Sequence, residues 1–453
     1  MTANPAERLI DHALALRWEH IHPEAREQAI TFLHDTLAVG AAGVGAAHAD
    51  AILAMVQGWG AGDTAGILGR PGQRLPAASA AFVNAFQIHG QEFDCVHESA
   101  VLHPMATLLA ALLAEAGRGA PVTGERFLTA IVAGVDVAVT LGLAAPGPLK
   151  FFRPATAGIF GCVVGISSLR GLPREVALDA FGHALALMSG TMQAHLEGKP
   201  ALPVQVAAAA RNALVAVDLA VAGMPGVRDP LVGPFGYFPL AEVREELDAA
   251  IALLGHGHRI TEVSWKPFPT GRAGHGGIVA MQRLMARGLT AAALERFDYH
   301  APPLIQRLVG RSARAGMEPG YARLCLAYLV AGVLVRGGIG LADFSRAALD
   351  DPAVLAVAAK VRVLDDGNSD AAAFVPARAV AHLVDGATMI ETVEAQFGSP
   401  AWPLAPDEHA AKAKSCLAFA GLEQIADGLA LAMPGFARAP DALAAIRQTG
   451  VMG

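Results

Sequence analysis

The chain of 453 residues has a net charge of −7, with 53% hydrophobic and 17% charged residues, which excludes the polar composition of a disordered protein and predicts two or three folded domains. Its lysines and arginines form no basic run, so neither a nucleic acid nor an anionic membrane surface is an expected partner. The four cysteines are widely spaced and lack metal-ligand spacing, which indicates reduced thiols in a cytoplasmic protein.

The first half of the chain predicts one helix after another. No cationic signal segment precedes them, and charged residues interrupt each apolar run before the ~20 residues that span a bilayer. Connectors rich in Gly and Pro separate Ala-rich segments that are too long for strands. The predicted helices cover residues 7–18, 24–42, 76–86, 124–143, 155–169, 174–188 and 204–222.

The pattern changes after about residue 260. Residues 263–266 look like a strand, 277–285 and 320–336 like helices, and VRVLDD and ARAVAHLVDGATMIETVEA like strands, the last two turning at Asp385-Gly386. From residue 400 the chain returns to helix. The prediction is a mainly α protein with an α+β insertion: a large all-helical domain of residues 1–265 and 400–453, and a smaller α+β lid domain of residues 266–399.

Residues 84–117 concentrate titratable side chains in an otherwise apolar chain. Glu92, Asp94, His97 and His103 occur within a dozen residues, and Pro104 then opens an Ala/Leu-rich helix. Proline is favoured at the first helical position, so His103 is predicted at the helix cap beside free backbone N–H groups. The plainer alternative is a capping histidine followed by a solvated acidic loop.

Three cationic or titratable side chains are each predicted just before a helix. His103, Arg153 and His275 all occupy such positions, and helix N-termini favour anions by ~0.3–1 kcal/mol each. If they converge, they form a pocket for a carboxylate, which Arg153 would hold through two hydrogen bonds. Taken singly, Arg153 is equally consistent with a surface cation, and Lys199 with a solvated lysine.

These residue types suit proton removal next to a carboxylate, since a histidine titrates near neutral pH. The chain has no GxSxG motif, and Cys95 lies in an acidic segment that disfavours a thiolate. Covalent catalysis is therefore not expected. Glu92, Asp94, His97 and His103 are permissible metal ligands but lack a recognised spacing, so no metal site is predicted.

Several segments together resemble the MmgE/PrpD family. EFDCVHESAVLHP is similar to the family's DFDDTH…HP segment, and FLHDTLAVGAAG, WKPFPTGRAGH, EPGYARLCLAYLVAGVLVRGGIGLADF, DPAVLAVAAKVRV and FGSPAWPLAPDEHAAKAKSC follow in the family's order. The resemblance covers nearly the whole chain. It implies a helical domain, a smaller lid, a pocket between them and a homodimer that needs no metal or organic cofactor.

The expected site residues follow from the resemblance together with the positions and residue types described above. The catalytic group is expected to comprise Glu92, Asp94, His103 and His275. The expected substrate-binding residues are His97, Arg153, Lys199, Lys266, Arg272 and Tyr328.

Three departures from the family pattern alter this pocket. Val96 stands where the family has threonine, Arg153 where the decarboxylase-like members use histidine, and the lysine–leucine–histidine segment is shifted around Lys199. The expected function is a cofactor-independent hydro-lyase for a small di- or tricarboxylate. An epimerase is a close alternative and a decarboxylase a third. A non-catalytic dimeric binding protein that kept the fold is the alternative of another class.

Overall fold

Two hydrophobic cores organise the protein in the computed structural model, which describes residues 4–147, 149–243, 245–370 and 373–453. The larger core combines helices of the first half with C-terminal side chains such as Leu417 and Phe436. The smaller core contains side chains between Ala273 and Val393. The prediction of a mainly α protein with a smaller α+β unit is confirmed, whereas the boundaries at residues 265 and 399 stay a prediction.

Helices supply almost all of the larger core. They are α1 (Pro5–Ala15), α2 (Pro23–Ala42), α3 (Ala49–Gln57), α4 (Ala77–Gly90), α5 (Pro104–Arg118), α6 (Gly124–Leu143), α7 (Arg153–Thr156), α8 (Gly158–Arg170), α9 (Arg174–Leu187), α10 (Gln193–Glu197), α11 (Ala201–Val221), α12 (Tyr237–Ala241) and α13 (Leu247–Ala252). The C-terminal part returns to this core with helices that are numbered after those of the smaller α+β unit, for which the predicted term lid is kept only as a label.

Glycines allow the central helices of this core to approach closely. A Cβ atom at Gly134 of α6 would lie 2.9 Å from the carbonyl oxygen of Gly161 in α8, and one at Gly161 would lie 2.6 Å from that of Gly134. Larger side chains would force the two backbones apart. The small residues that dominate the composition are therefore needed at this contact.

The large domain is not purely helical, contrary to the prediction. β1 (Ala65–Ile67) and β2 (Arg70–Leu75) form an antiparallel hairpin against the helices. Their pattern was missed because β1 has three residues, all buried, and shows no alternation of apolar and polar side chains.

The lid contains one four-stranded mixed sheet in the order β4-β3-β5-β6. Its strands are β3 (Leu294–Ala301), β4 (Val361–Asp365), β5 (Ala377–Leu383) and β6 (Thr388–Val393), and only β3 and β4 pair in parallel. The predicted hairpin at Asp385-Gly386 is confirmed, with Gly386 at a φ of 85°. The predicted strand at 263–266 is wrong, since only Ser264 pairs, in an isolated bridge to Val96.

Helices surround this sheet, and the C-terminal helices follow. They are α14 (His275–Ala286), α15 (Pro303–Val309), α16 (Pro319–Arg323), α17 (Leu326–Arg336), α18 (Arg346–Leu349), α19 (Pro352–Ala358), α20 (Pro406–Phe419), α21 (Ala426–Ala432) and α22 (Ala442–Gln448). The predicted single helix at 320–336 is instead broken between α16 and α17. This break places Arg323, the last residue of α16, beside the first domain.

Among the described residues, two helices have the length and apolar composition of a membrane span. They are Gly124–Leu143 (α6) and Ala201–Val221 (α11). In α6, 89% of the apolar window is buried inside the protein, compared with 50% in α11. Packing within the helical core therefore already uses most of the apolar surface of α6.

The acidic segment after α4 lies where the two cores meet. Its Val96 pairs with Ser264 on the chain that leads into the lid. From the other side, Lys412 of α20 donates a hydrogen bond to the carbonyl oxygen of Phe93 (2.9 Å) and forms a 2.7 Å ion pair with Asp35 of α2. The segment is thus fixed by residues that are distant in sequence.

Candidate active site

Two neighbouring cavities open between the helical core and the lid. The first, which we call the His103 chamber, has a volume of about 60 Å³ and is lined by His103, Arg153, His195 and Arg272, among others. The second, which we call the Arg323 chamber, has a volume of about 240 Å³ and is lined by His89, Lys199 and Arg323, among others. The lining of both chambers includes Glu92, Leu202 and Leu324.

His103 is held at the wall of its chamber by one buried carboxylate. It is the N-cap residue of α5, as predicted, and its Nδ1 lies 3.1 Å from Asp94 Oδ2. An ionised carboxylate only accepts hydrogen bonds, so Nδ1 carries the hydrogen and the neutral ring keeps its lone pair on Nε2. Burial lowers the pKa of His103 below 6.5, although the charge of Asp94 opposes this shift.

His89, which the sequence analysis did not single out, shares the same carboxylate. Its Nδ1 lies 3.0 Å from Asp94 Oδ2, and its ring centroid is 4.8 Å from that of His103. Burial alone would lower the pKa of His89, but the charges of Asp94 and Glu92 outweigh burial and raise it. The pKa values of the two imidazoles are therefore shifted in opposite directions although the rings share one partner.

Sequence reasoning missed His89 because this residue lies at the end of the apolar helix α4. A histidine in such a helix is usually interpreted as a structural residue of the core. The position of His89 one turn before the acidic segment was the available signal, since residues three to four apart share a helix face.

Lys266 balances the acidic side of this cluster. It is completely buried, and its Nζ lies 2.9 Å from Glu92 Oε2 and 3.8 Å from Asp94 Oδ1. Burial would raise the pKa of Glu92, but Lys266, together with the two histidines, lowers it to about 2. Lys266 is therefore engaged with Glu92, and the prediction that it binds substrate directly needs correction.

Backbone strain also marks this segment. Glu92 has a φ of 50° and Val101 a φ of 49°, and both line the His103 chamber. A positive φ is a genuine outlier for a β-branched residue such as valine. Strain of this kind is commonly stored at functional sites.

Three residues that could each ligate a metal ion lie together here. Ligand atoms of His89, Asp94 and His103 all lie within 4.8 Å of one another. However, the ammonium group of Lys266 already faces Asp94 Oδ1 and would repel a cation. The arrangement fits a hydrogen-bonded acid–base cluster better than a metal centre.

His275 does not reach either chamber, contrary to the expectation that it transfers protons. Its side chain is completely buried, with Nδ1 accepting from Arg272 Nη1 (3.2 Å) and Nε2 donating to the Thr270 carbonyl oxygen (3.4 Å). Burial, followed by the charges of Arg272 and Lys266, holds its pKa well below the usual value. Both ring nitrogens are thus occupied, and the ring instead positions Arg272.

Arg272 lines the His103 chamber, but its donors are already used. Its Nε donates to Glu98 Oε1 (2.7 Å), and its Nη1 donates to the carbonyl oxygens of Trp265 (3.1 Å) and Phe397 (2.6 Å). The predicted role of Arg272 in substrate binding is therefore corrected to that of a wall residue that links the acidic segment to the lid.

Arg153 is committed to a buried ion pair. Its Nε and Nη2 each lie 2.9 Å from one oxygen of Glu242, and its Nη2 also donates to the carbonyl oxygens of Ala145 (2.6 Å) and Gly147 (3.2 Å). The side chain reaches the chamber wall, but its charge is neutralised inside the protein. The expectation that Arg153 grips a substrate carboxylate is therefore corrected.

His97 and Tyr328 also have structural partners rather than places in a chamber. His97 accepts from the backbone N–H of Ala100 (3.1 Å) and donates to Glu262 (3.0 Å). The hydroxyl of Tyr328 lies between the carbonyl oxygens of Asp343 (2.5 Å) and Ala348 (3.1 Å). Neither residue lines the two chambers, so their predicted substrate-binding roles do not fit the geometry.

Within the described part of the chain, Lys199 is the one predicted substrate-binding cation whose side chain has no hydrogen-bond or ion-pair partner. It is exposed and lines the Arg323 chamber, although the sequence pattern around it is shifted. Its role stays a prediction.

Sequence reasoning also missed His195 and Arg323. His195 lies on α10 and lines the His103 chamber, and burial, followed by the charge of Arg311, lowers its pKa to about 4. His195 lies just before Lys199, where the lysine–leucine–histidine segment is shifted, so the resemblance did not point to it. Arg323 lies in the segment EPGYARLCLAYLVAGVLVRGGIGLADF, which supported the family resemblance but was not considered as part of the site.

Comparison with known proteins identifies the family of the chain. The family descriptions "MmgE/PrpD N-terminal domain" and "MmgE/PrpD C-terminal domain" match residues 7–248 and 268–427. The human protein named cis-aconitate decarboxylase is 26% identical over 365 residues, which cover 76% of this chain and 73% of that protein. The Aspergillus oryzae cis-aconitate decarboxylase-like protein oryM is 28% identical, with 74% of each chain covered. Because the N-terminal match alone spans more than half of the sequence, the chain belongs to the MmgE/PrpD family.

Proposed function

We propose that this protein is a lyase that acts on a small di- or tricarboxylate and begins by removing a proton next to a carboxylate. The observation that carries this proposal is the position of His103. Its Nδ1 is held 3.1 Å from the Asp94 carboxylate, and the residue lines the His103 chamber. Its lowered pKa favours a neutral ring at pH 7, and a neutral imidazole is the form that accepts a proton.

His89 is the matching acid in this proposal. Two neighbouring titratable groups whose pKa values are pushed in opposite directions divide acid and base roles between them. The pKa of His89 is raised while that of His103 is lowered, and their ring centroids are 4.8 Å apart. His103 Nε2 takes the proton from carbon, and the His89 imidazolium gives a proton to the departing hydroxyl group.

Decarboxylation is the second candidate, and the names of the human and Aspergillus relatives favour it. Loss of CO₂ leaves a carbanion that must be protonated, and His89 can deliver that proton. The absence of a histidine at position 153 argued against this reaction from the sequence. His195 now supplies an imidazole to the same chamber, which weakens that argument.

A panel of carboxylic acids tests the proposal. Purified wild-type protein and His103→Asn are incubated in deuterated water with citrate, malate and cis-aconitate, and the products are followed by NMR. Dehydration yields an unsaturated acid that retains every carboxylate, decarboxylation releases CO₂, and epimerisation shows C–H exchange with inversion. A wild-type protein that binds one of these acids but neither converts it nor exchanges its C–H would contradict the proposal and favour the non-catalytic binding protein.

A further inference from the structure

Arg323 differs in one respect from the other buried cations of the described residues. Each of the others has a carboxylate oxygen within 4.0 Å; the pairs are Arg153–Glu242, Arg259–Glu262, Lys266–Glu92, Arg272–Glu98 and Lys412–Asp35. Arg323 is only 3% exposed, yet it forms no such ion pair within the part of the chain that the structure describes. Its charge is therefore buried without a counter-charge in contact.

The neighbours of Arg323 fix its position without neutralising it. Its Nη1 donates to the carbonyl oxygens of Gln91 (2.9 Å) and Pro269 (2.6 Å), and its Nη2 donates to the Gln91 side chain. The guanidinium carbon lies 3.8 Å from the ring centroid of Phe344. All of these partners are uncharged. Among the described residues, no acceptor is found for the Nε–H, so the guanidinium keeps donor capacity.

A cavity lies beside Arg323. Arg323 lines a space of about 240 Å³ together with the exposed Lys199. Burying an unpaired charge is costly, whereas an anion that forms hydrogen bonds with it offsets the cost. A carboxylate suits a guanidinium in particular because the two planar groups match in geometry. The chamber thus has the charge and shape to receive a carboxylate.

We propose that Arg323 binds a substrate carboxylate remote from the reacting carbon, in the chamber next to the one that holds His103. This inference rests on the lyase function proposed above and narrows its substrate class to tricarboxylates or extended dicarboxylates. Glu92, Leu202 and Leu324 line both chambers, so the two cavities adjoin, and the inference requires one molecule to extend across both. Glu92 does not oppose this binding, because its own charge is balanced by Lys266 at 2.9 Å.

Binding of acids that cannot react separates this inference from catalysis. Tricarballylate has three carboxylates but no hydroxyl group or double bond, and succinate is a shorter dicarboxylate that lacks the remote group. Isothermal titration with wild-type protein is expected to show tighter binding of tricarballylate. Arg323→Gln, which keeps a hydrogen-bonding side chain but removes the charge, is expected to weaken that binding about tenfold or more and to leave succinate binding unchanged.

Two variants serve as controls. Arg323→Lys retains the charge and is expected to keep part of the preference for tricarballylate. Arg283→Gln removes a lid arginine that already pairs with Glu391 at 3.1 Å and lines neither chamber, so its binding is expected to match the wild type. A folded Arg323→Gln protein, verified by circular dichroism, that binds tricarballylate as tightly as the wild type would overturn the inference.

Crystals of the wild-type protein soaked in tricarballylate provide a measurement that needs no variant. The inference expects one carboxylate within hydrogen-bonding distance of Arg323, and a ligand bound elsewhere contradicts it. If tricarballylate binds at Arg323 but no acid of the panel is turned over, the lyase proposal fails while the assignment of Arg323 stands.

Discussion

Replacing Arg153 by methionine distinguishes a structural role from a substrate-binding role. The structure pairs Arg153 with Glu242 through two contacts of 2.9 Å, and both side chains are nearly inaccessible. Without the arginine, the hydroxyl of Tyr237 at 2.8 Å is the remaining hydrogen-bond partner of the Glu242 carboxylate among the described residues. Breaking a buried ion pair on one side costs about 3–5 kcal/mol, so we expect Arg153→Met to lower the free energy of unfolding by that amount.

Urea unfolding followed by circular dichroism measures this loss. The double variant Arg153→Met/Glu242→Gln removes both charges while the new amide still accepts from Tyr237, so it is expected to recover more than half of the lost stability. Lys199→Met changes an exposed cation and is expected to stay within about 0.5 kcal/mol of wild type. Wild-type stability of Arg153→Met combined with a raised KM would refute the reasoning and restore the original sequence-based prediction.

Two further predictions concern buried titratable groups. Asp136 accepts from His12 (3.1 Å), His258 (2.9 Å) and a backbone N–H; burial opposes ionisation, but these bonds hold its pKa below 3.8. The stability that the Asp136 carboxylate contributes is therefore complete above pH 3.8 and is lost as the pH falls through the lower pKa of the folded state. Urea unfolding should show that Asp136→Asn costs about 3 kcal/mol at pH 7 and progressively less in acid. An equal cost at all pH values would contradict this prediction. Burial also raises the pKa of the four cysteine thiols, which are those of Cys95, Cys162, Cys325 and Cys416. A thiol reagent such as DTNB should therefore label none of them in the native protein and all of them in denaturant. Rapid labelling of the native protein would contradict their burial.

Much of the fold follows from local sequence signals. The helix Gly124–Leu143 was predicted to the residue from its long, Ala-rich, apolar sequence, and the structure adds that Thr123 caps its start. The Asp385-Gly386 turn was equally clear, since glycine readily takes the positive φ required there. The β1–β2 hairpin and the break before Leu326 escaped prediction because they depend on packing against distant segments.

The site was predictable only in part. The position of His103 follows from the His-Pro pair, which marks a helix start. By contrast, whether a charged residue faces substrate depends on its partner, and sequence does not reveal that partner. Arg153 is matched by Glu242 from 89 residues away, whereas Arg323 has no acidic partner among the described residues. Family resemblance could place His275 near the site but could not show that both of its ring nitrogens are already hydrogen-bonded.

The turnover number of His103→Asn, measured on whichever acid the wild-type protein converts, tests the central claim most directly. Asparagine can still donate to Asp94 but cannot accept a proton from carbon. We expect kcat to fall about a hundredfold or more, solvent deuterium to stop entering the substrate, and the circular dichroism spectrum and tricarballylate binding to stay at wild-type values. A folded His103→Asn protein with wild-type kcat and undiminished deuterium exchange would contradict the assignment of His103 as the base.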